Sequence, residues 1–264
     1  VIDHAGPAVI ALLPAVAGVA LDVGACSLRL LPVVALSPFL GGPILPPVAR
    51  AGLALALGAA VRSATGAGSP PGAPFLAVAA SELALGAALA FAASLPVEAA
   101  RGAGRLVDTL RGATLGELHV PLIRQRETAV GDLLAQWTVA LGAWAGADRL
   151  LVAALLDTFR TVPVGGALPG LLRLEASASA AADLLSAALC LGAPAAAALL
   201  SADLALSAAS RLAPRSSLLD AAPPVRAALG LAAVALPAAA IGGRLVELAA
   251  LAGGMVERMA GGAP

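Results

Sequence analysis

An all-α integral membrane protein is the fold class this sequence predicts, and three observations predict it. Of the 264 residues, 60% are hydrophobic and only 12% charged, where an average soluble domain has roughly a quarter of its residues charged. Phe75 to Val97 is an apolar run long enough to cross a bilayer, and its one charge is Glu82. Directly after it, at about 100° per residue, Glu98, Arg101, Arg105, Asp108, Arg111 and Gly112 fall on one side of a helix, and Ala99, Ala103, Leu106, Val107 and Leu110 on the other. A membrane-grade helix therefore feeds a charged, glycine-notched helix, Glu98 to Gly116.

The elements follow in order. Ile2 to Leu21 is a first apolar run, broken by Pro14 and ending at Asp22 before a short polar stretch that reaches Arg29. Asp3 and the lack of a basic residue before Arg29 argue for a retained first helix over a cleaved signal. Leu28 to Arg50 carries Pro32, Pro38, Pro43, Pro46 and Pro47. Proline removes an N–H, and lipid cannot satisfy the freed carbonyls, so this stretch is expected to be broken and shielded by protein. Ala51 to Val61 completes an N-terminal hairpin of about residues 1–61, and the Gly-, Pro- and Ser-rich 62–74 is a loop separating it from the remainder, 75–264, within one domain.

After the charged helix, Glu117 to Thr128 has no apolar face and reads as a loop. Val130 to Leu156 is helical with a kink near Gly146, and Asp157 to Arg173 is a loop or broken helix. Ala176 to Ala202, with Pro194 inside, is the longest clean candidate, Asp183 and Asp203 bracketing nineteen uncharged residues; Ser201 to Arg226 is a polar connection. Ala227 to Gly243 is the last span, followed by an amphipathic tail through Arg258. The sum is about six hydrophobic helical regions. Taken as straight spans, the odd-numbered loops hold nine Arg against four in the even ones, which places both termini outside.

The chemistry of known catalytic motifs is absent from the sequence. All 16 basic residues are Arg and balance 16 acidic ones, so there is no P-loop lysine and no clustered basic surface for nucleic acid. His4 and His119 stand far apart without HExxH, GxSxG is missing, and Gly131-Asp132 lacks the second Gly-Asp of an intramembrane aspartyl pair. Cys26 and Cys190 read as small hydrophobes rather than a disulfide or metal pair. No catalytic, cofactor or metal residue is expected, and the chain reads as non-enzymatic. Glu82 would cost on the order of 3 kcal/mol at mid-bilayer, so it needs a partner or water. It is either a buried helix-to-helix contact or an ion or proton site. Gly104, Asp108 and Gly112 recur in steps of four, and since each interior Gly costs about 1 kcal/mol of helix stability, close approach of another backbone would explain the glycines.

Four places, in order, resemble the SctT/FliR family of type III secretion and flagellar export-apparatus subunits. Arg29, Pro32, Pro38, Pro46 and Arg50 resemble its early Arg-Pro-Pro-Arg region. Glu82 and Gly86, then Ala103-Gly104, Asp108 and Gly112, resemble its Glu…Gly…Ala-Gly…Asp…Gly run. Phe159 with Pro163-Val164-Gly165 is similar to a short Ser-Phe…Pro-x-Gly element, with Thr158 for the usual Ser. Pro194, Asp203, Arg211 and Pro214 resemble a Pro…Asp…Arg…Pro stretch, after which Pro224-Val225-Arg226 has Arg where the family has Lys.

The resemblance implies a structural, pore-forming subunit of the protein-export gate of an injectisome or flagellum. It implies a multi-pass protein of the bacterial inner membrane, passing unfolded substrates. Implied partners are SctR/FliP-type and SctS/FliQ-type subunits in a helical assembly, SctU/FlhB-type and SctV/FlhA-type proteins, and membrane lipid. It further implies helical hairpins bent and raised partly out of the bilayer and a cytoplasmic C-terminus, against the arginine count. The loop after the charged helix would be a pore plug, here Gly112, Leu115, Glu117, His119, Pro121, Arg124 and Arg126. Glu82, Arg101, Gly104, Arg105 and Asp108 would serve helix packing or assembly contacts. The alternative from another class is a small ion- or proton-coupled transporter using Glu82 and Asp132; against it, no later stretch repeats 28–61 as inverted-repeat transporters would require.

Overall fold

The structure, a computed structural model, describes residues 5–70, 72–112, 128–166, 174–212, 222–235 and 238–260. Eight α-helices run through them: α1 (Ala5–Leu36), α2 (Pro47–Thr65), α3 (Phe75–Leu110), α4 (Ala129–Ala145), α5 (Ala147–Thr161), α6 (Leu174–Leu212), α7 (Ala222–Ala235) and α8 (Ala238–Met259). There is no strand among the described residues. Ala and Leu dominate every helix, which suits their intrinsic propensity. Three helical stretches are long and apolar enough to cross a membrane: Val16–Leu36, Phe75–Leu110 and Ala182–Leu212. Two further pairs, Ala129–Ala145 with Ala147–Thr161 and Pro224–Ala235 with Ala240–Met259, reach that standard only when counted across their breaks.

The helices differ from the sequence expectation chiefly at charged and proline positions. α1 does not break at Pro14 or end at Asp22 but continues to Leu36, because Asp22 and Arg29 both find partners within the fold and so need not leave the helix. Phe75 to Val97 and the charged segment after it form one helix, α3, with Pro96 inside. That helix stops at Leu110, short of the expected Gly116, and Gly112 has φ +79°. α6 continues to Leu212 through what reads as a polar connection. α5 ends at Thr161, so the loop expected from Asp157 starts later. The kink expected near Gly146 is a full break: Gly146 takes φ +85° and its N–H closes on the Ala143 and Gly142 carbonyls, a left-handed C-cap that ends α4.

The proline-rich break occupies only residues 37–46. Two 3-10 turns, Pro38–Leu40 and Gly42–Ile44, fill it. Arg50 folds back, donating from Nε to the Leu45 carbonyl at 2.7 Å and from Nη2 to the Pro43 carbonyl at 3.0 Å. Arg50 thus supplies donors that the prolines lack. Pro32 stays inside α1, and Pro46 is the N-cap of α2.

The chain forms two compact units. The first comprises Val1–Ser94, Ala147–Ala178 and Ala252–Pro264. In it α1 packs against α2 where Gly58 faces Ser27, so closely that a Cβ on Gly58 would lie 3.0 Å from the Val23 carbonyl oxygen. Leu30, Val33, Leu89, Leu151 and Val256 are buried in this unit. Near the other end of the α1–α2 pair, Asp22 accepts from Arg62 Nε at 3.1 Å and from the Ser69 N–H at 2.8 Å.

The second unit comprises Leu95–Gly146 and Ser179–Leu251. Its core joins Ala100, Ala103 and Val107 of α3, Val130 and Leu134 of α4, Ala195 and Leu199 of α6, Val234 of α7, and Leu245 and Leu248 of α8. Small residues let the helices approach: a Cβ on Gly192 would lie 3.3 Å from the Ala103 carbonyl oxygen.

Candidate functional site

The first unit is built around one buried ion pair. Arg29 of α1 and Glu82 of α3 have side chains 0% and 2% exposed. Arg29 Nε donates to Glu82 Oε2 at 2.6 Å and Nη2 to Oε1 at 3.1 Å, a two-pronged fork that suits guanidinium and carboxylate. Arg29 Nη1 donates to the Thr158 carbonyl at 3.1 Å and the Val162 carbonyl at 2.9 Å, at the C-terminal end of α5. There a cation meets the negative end of the helix dipole. The guanidinium also sits 4.1 Å from the centroid of the Phe159 ring, a cation–π contact.

Two glycines make this geometry available. Gly86, one turn beyond Glu82, faces α1 so closely that a Cβ would stand 2.2 Å from the Arg29 carbonyl oxygen. Its missing side chain lets α1 and α3 approach at the point where the fork forms. Gly165, with φ +70°, is the third residue of a turn closed by the Gly166 N–H on the Pro163 carbonyl at 2.9 Å. A positive φ at that position is what a type II turn requires. The turn aims the Gly165 N–H at Glu82 Oε1, 2.9 Å away. Both oxygens of Glu82 are therefore engaged, and the carboxylate is closed off from solvent. The arrangement is a structural clamp: it neutralises two charges inside an apolar protein and ties α1, α3, α5 and the Pro163–Gly166 turn together.

Arg29, Glu82, Gly86, Phe159, Pro163 and Gly165 come from three of the four motif places and meet here. The pairing itself is absent from the sequence reading, where Arg29 stood with the prolines and Glu82 stood alone. One signal pointed to it. Glu82 is the sole charge of its apolar run, and Arg29 is the sole basic residue in the first 49. Each needs an opposite charge if it is to be buried.

In the second unit, Asp108 is fully buried. Its Oδ2 accepts from the Val130 N–H at 2.8 Å and its Oδ1 from Arg111 Nε at 2.6 Å. Thr128 occupies the N-cap position of α4 without a side-chain capping bond, so a carboxylate from a different helix does the capping, at the positive end of the α4 dipole. Gly104 lies against Gly131: a Cβ there would be 2.5 Å from both N and Cα of Gly131. Arg101 pairs with Glu98 and its Nε lies 3.6 Å from Asp132, whereas Arg105 is exposed. Asp203 of α6 pairs with Arg226 of α7. Pro194 lies inside α6 and Arg211 in its last turn. The plug positions Leu115, Glu117, His119, Pro121, Arg124 and Arg126, and Pro214, lie outside the described residues.

Comparison with known proteins agrees with these motifs. Residues 21–250 match the family described as bacterial export proteins, family 1. Over 150 residues the chain is 28% identical to the Yop proteins translocation protein T of Yersinia pestis, covering 56% of this chain and 58% of that one. The protein of the same name from Yersinia pseudotuberculosis serotype I (strain IP32953) is similar to the same extent. The chain thus aligns with somewhat over half the length of these curated relatives. With the family matched across all but the ends of the chain, and three of its motif places meeting in one buried clamp, this protein belongs to the bacterial export proteins, family 1, the SctT/FliR family of type III export-apparatus subunits.

Proposed function

We propose that this chain is a structural, pore-forming subunit of a type III export gate in the bacterial inner membrane, helping unfolded substrates across. It would stand beside SctR/FliP-type and SctS/FliQ-type subunits and contact SctU/FlhB-type and SctV/FlhA-type proteins. The observation that carries the reading is the family match over residues 21–250. The geometry supports it over the transporter alternative. Glu82 is saturated by Arg29 and the Gly165 N–H in the first unit, while Asp132 lies beside Arg101 in the second. Each carboxylate thus already has an arginine beside it within its own unit.

The test is native mass spectrometry of the chain co-expressed with its neighbouring membrane-protein genes. A heteromeric complex containing SctR/FliP-type and SctS/FliQ-type subunits is the expected result. Recovery only as a monomer or homodimer would overturn the proposal.

A further inference from the structure

α6 is the least buried of the membrane-grade helices: only 17% of its most apolar window is buried, although its mean hydropathy is 1.9. Against it, α8 forms an apolar groove in two adjoining parts. The inner part, about 250 Å³, reaches Pro194 and Ala195 of α6 and Ile241 of α8. The outer part, about 280 Å³, lies between Ala187 of α6 and Leu251 of α8. Cys190, Leu191 and Arg244 border both. From Ala187 to Ala195 a helix rises about 12 Å, a length suited to the upper half of a fatty acyl chain.

The outer part has one charge of each sign at its rim. Arg244 Nη1 and Glu247 Oε2 are 3.1 Å apart, with side chains 75% and 69% exposed. An exposed pair of this kind contributes little stability, so it opens readily to a ligand. Nε and Nη2 of Arg244 make no hydrogen bond among the described residues, which leaves a guanidinium edge of the kind that grips phosphate. The outer part is also the one nearer Asp183, the charged end of the apolar stretch of α6.

We propose that this groove is a binding site for a zwitterionic phospholipid of the phosphatidylethanolamine class. One acyl chain lies along α6 toward Pro194, the phosphate rests on Arg244 and the ammonium on Glu247. Charges of both signs at the rim favour a headgroup that carries both, since an anionic lipid would leave Glu247 facing a like charge. Of the zwitterionic headgroups, only a primary ammonium has N–H groups to donate to the Glu247 carboxylate, which a choline lacks.

The 264-residue chain in detergent is incubated with equal amounts of palmitoyl-oleoyl phosphatidylethanolamine, phosphatidylglycerol and phosphatidylcholine and examined by native mass spectrometry. Expected is one phosphatidylethanolamine retained per chain under activation that strips the other two. Arg244→Ala and Glu247→Ala, both at exposed positions where folding is not at stake, should each lower its retention about tenfold. Equal retention of all three lipids, or none, or retention unchanged in both variants, would overturn the proposal. A second readout uses the exposed Cys190, since Cys26 is buried. Maleimide labelling of Cys190 should be several-fold slower in phosphatidylethanolamine nanodiscs than in phosphatidylglycerol ones. Equal rates in the two, fast or slow, would overturn it, and equally slow rates without retained lipid would mean that protein fills the groove.

Discussion

At the residue scale, the clamp shows why an apolar chain tolerates a buried arginine. Removing either charge alone strands the other without water, and breaking a buried pair costs about 3–5 kcal/mol. Glu82→Ala and Arg29→Ala should therefore each lower unfolding stability in detergent by about that amount. The double variant Arg29→Met with Glu82→Leu should recover much of the loss, because no charge is left unpaired. Additive losses in the double variant would show that the two residues act independently, contrary to the clamp. Arg29→Lys should not substitute, since an ammonium cannot present the fork that grips Glu82 while Nη1 holds the Thr158 and Val162 carbonyls. Gly86→Ala tests the same point from the backbone side. The atom met at 2.2 Å is a carbonyl oxygen of α1, not the end of a pliable side chain. The helices must separate, and thermal unfolding should fall as far as for Glu82→Ala. A Gly86→Ala variant as stable as wild type would mean that the close approach is not required.

At the scale of elements, Asp108 does for α4 what an N-cap side chain ordinarily does from within the chain. Asp108→Ala loses the cap, about 1–2 kcal/mol, and also leaves the nearly buried Arg111 without its partner. The total loss should therefore exceed the cap alone, with faster hydrogen exchange of the Val130 amide. Asp108→Asn retains an acceptor for that N–H and should fall in between; exchange at Val130 unchanged in Asp108→Ala would rule out the cap. This bond also marks the limit of what the sequence discloses. Periodicity located the membrane-grade and charged parts of α3 and the glycine ladder with its step of four. It did not identify Gly131 as the neighbour of Gly104, because spacing along one helix says nothing about which helix lies opposite. The same limit explains the misplaced ends of α1 and α6. Asp22 and Asp203 look like the ends of spans when read along the chain, yet each stays helical because an arginine from a neighbouring helix meets it, Arg62 and Arg226 respectively. The break at residues 37–46 was legible because prolines remove donors locally. Its repair by Arg50 was not, since that depends on how the chain folds back.

At the scale of the whole molecule, the long exposed apolar surface of α6 calls for lipid or partner protein around it, which is the situation of a subunit in a membrane assembly. The proposed gate then needs a closure, and the segment between α3 and α4 is the one to test. Its two ends are held within the second unit by the bond from the Val130 N–H to Asp108, so a deletion between them leaves the anchor in place. Removing Leu115 to Arg126 leaves Ala113, Thr114 and Glu127 as the bridge, and three residues extend about 10 Å, suited to a pair of helix ends joined by that bond. If the segment plugs the pore, the deletion variant should assemble as wild type does by native mass spectrometry. It should also conduct small ions in planar bilayers where the closed wild type does not. Intact assembly with conductance equal to the closed wild type would remove the plug from this segment while leaving the family and the clamp untouched, because neither the family match nor the Arg29–Glu82 pair depends on what lies between Gly112 and Thr128.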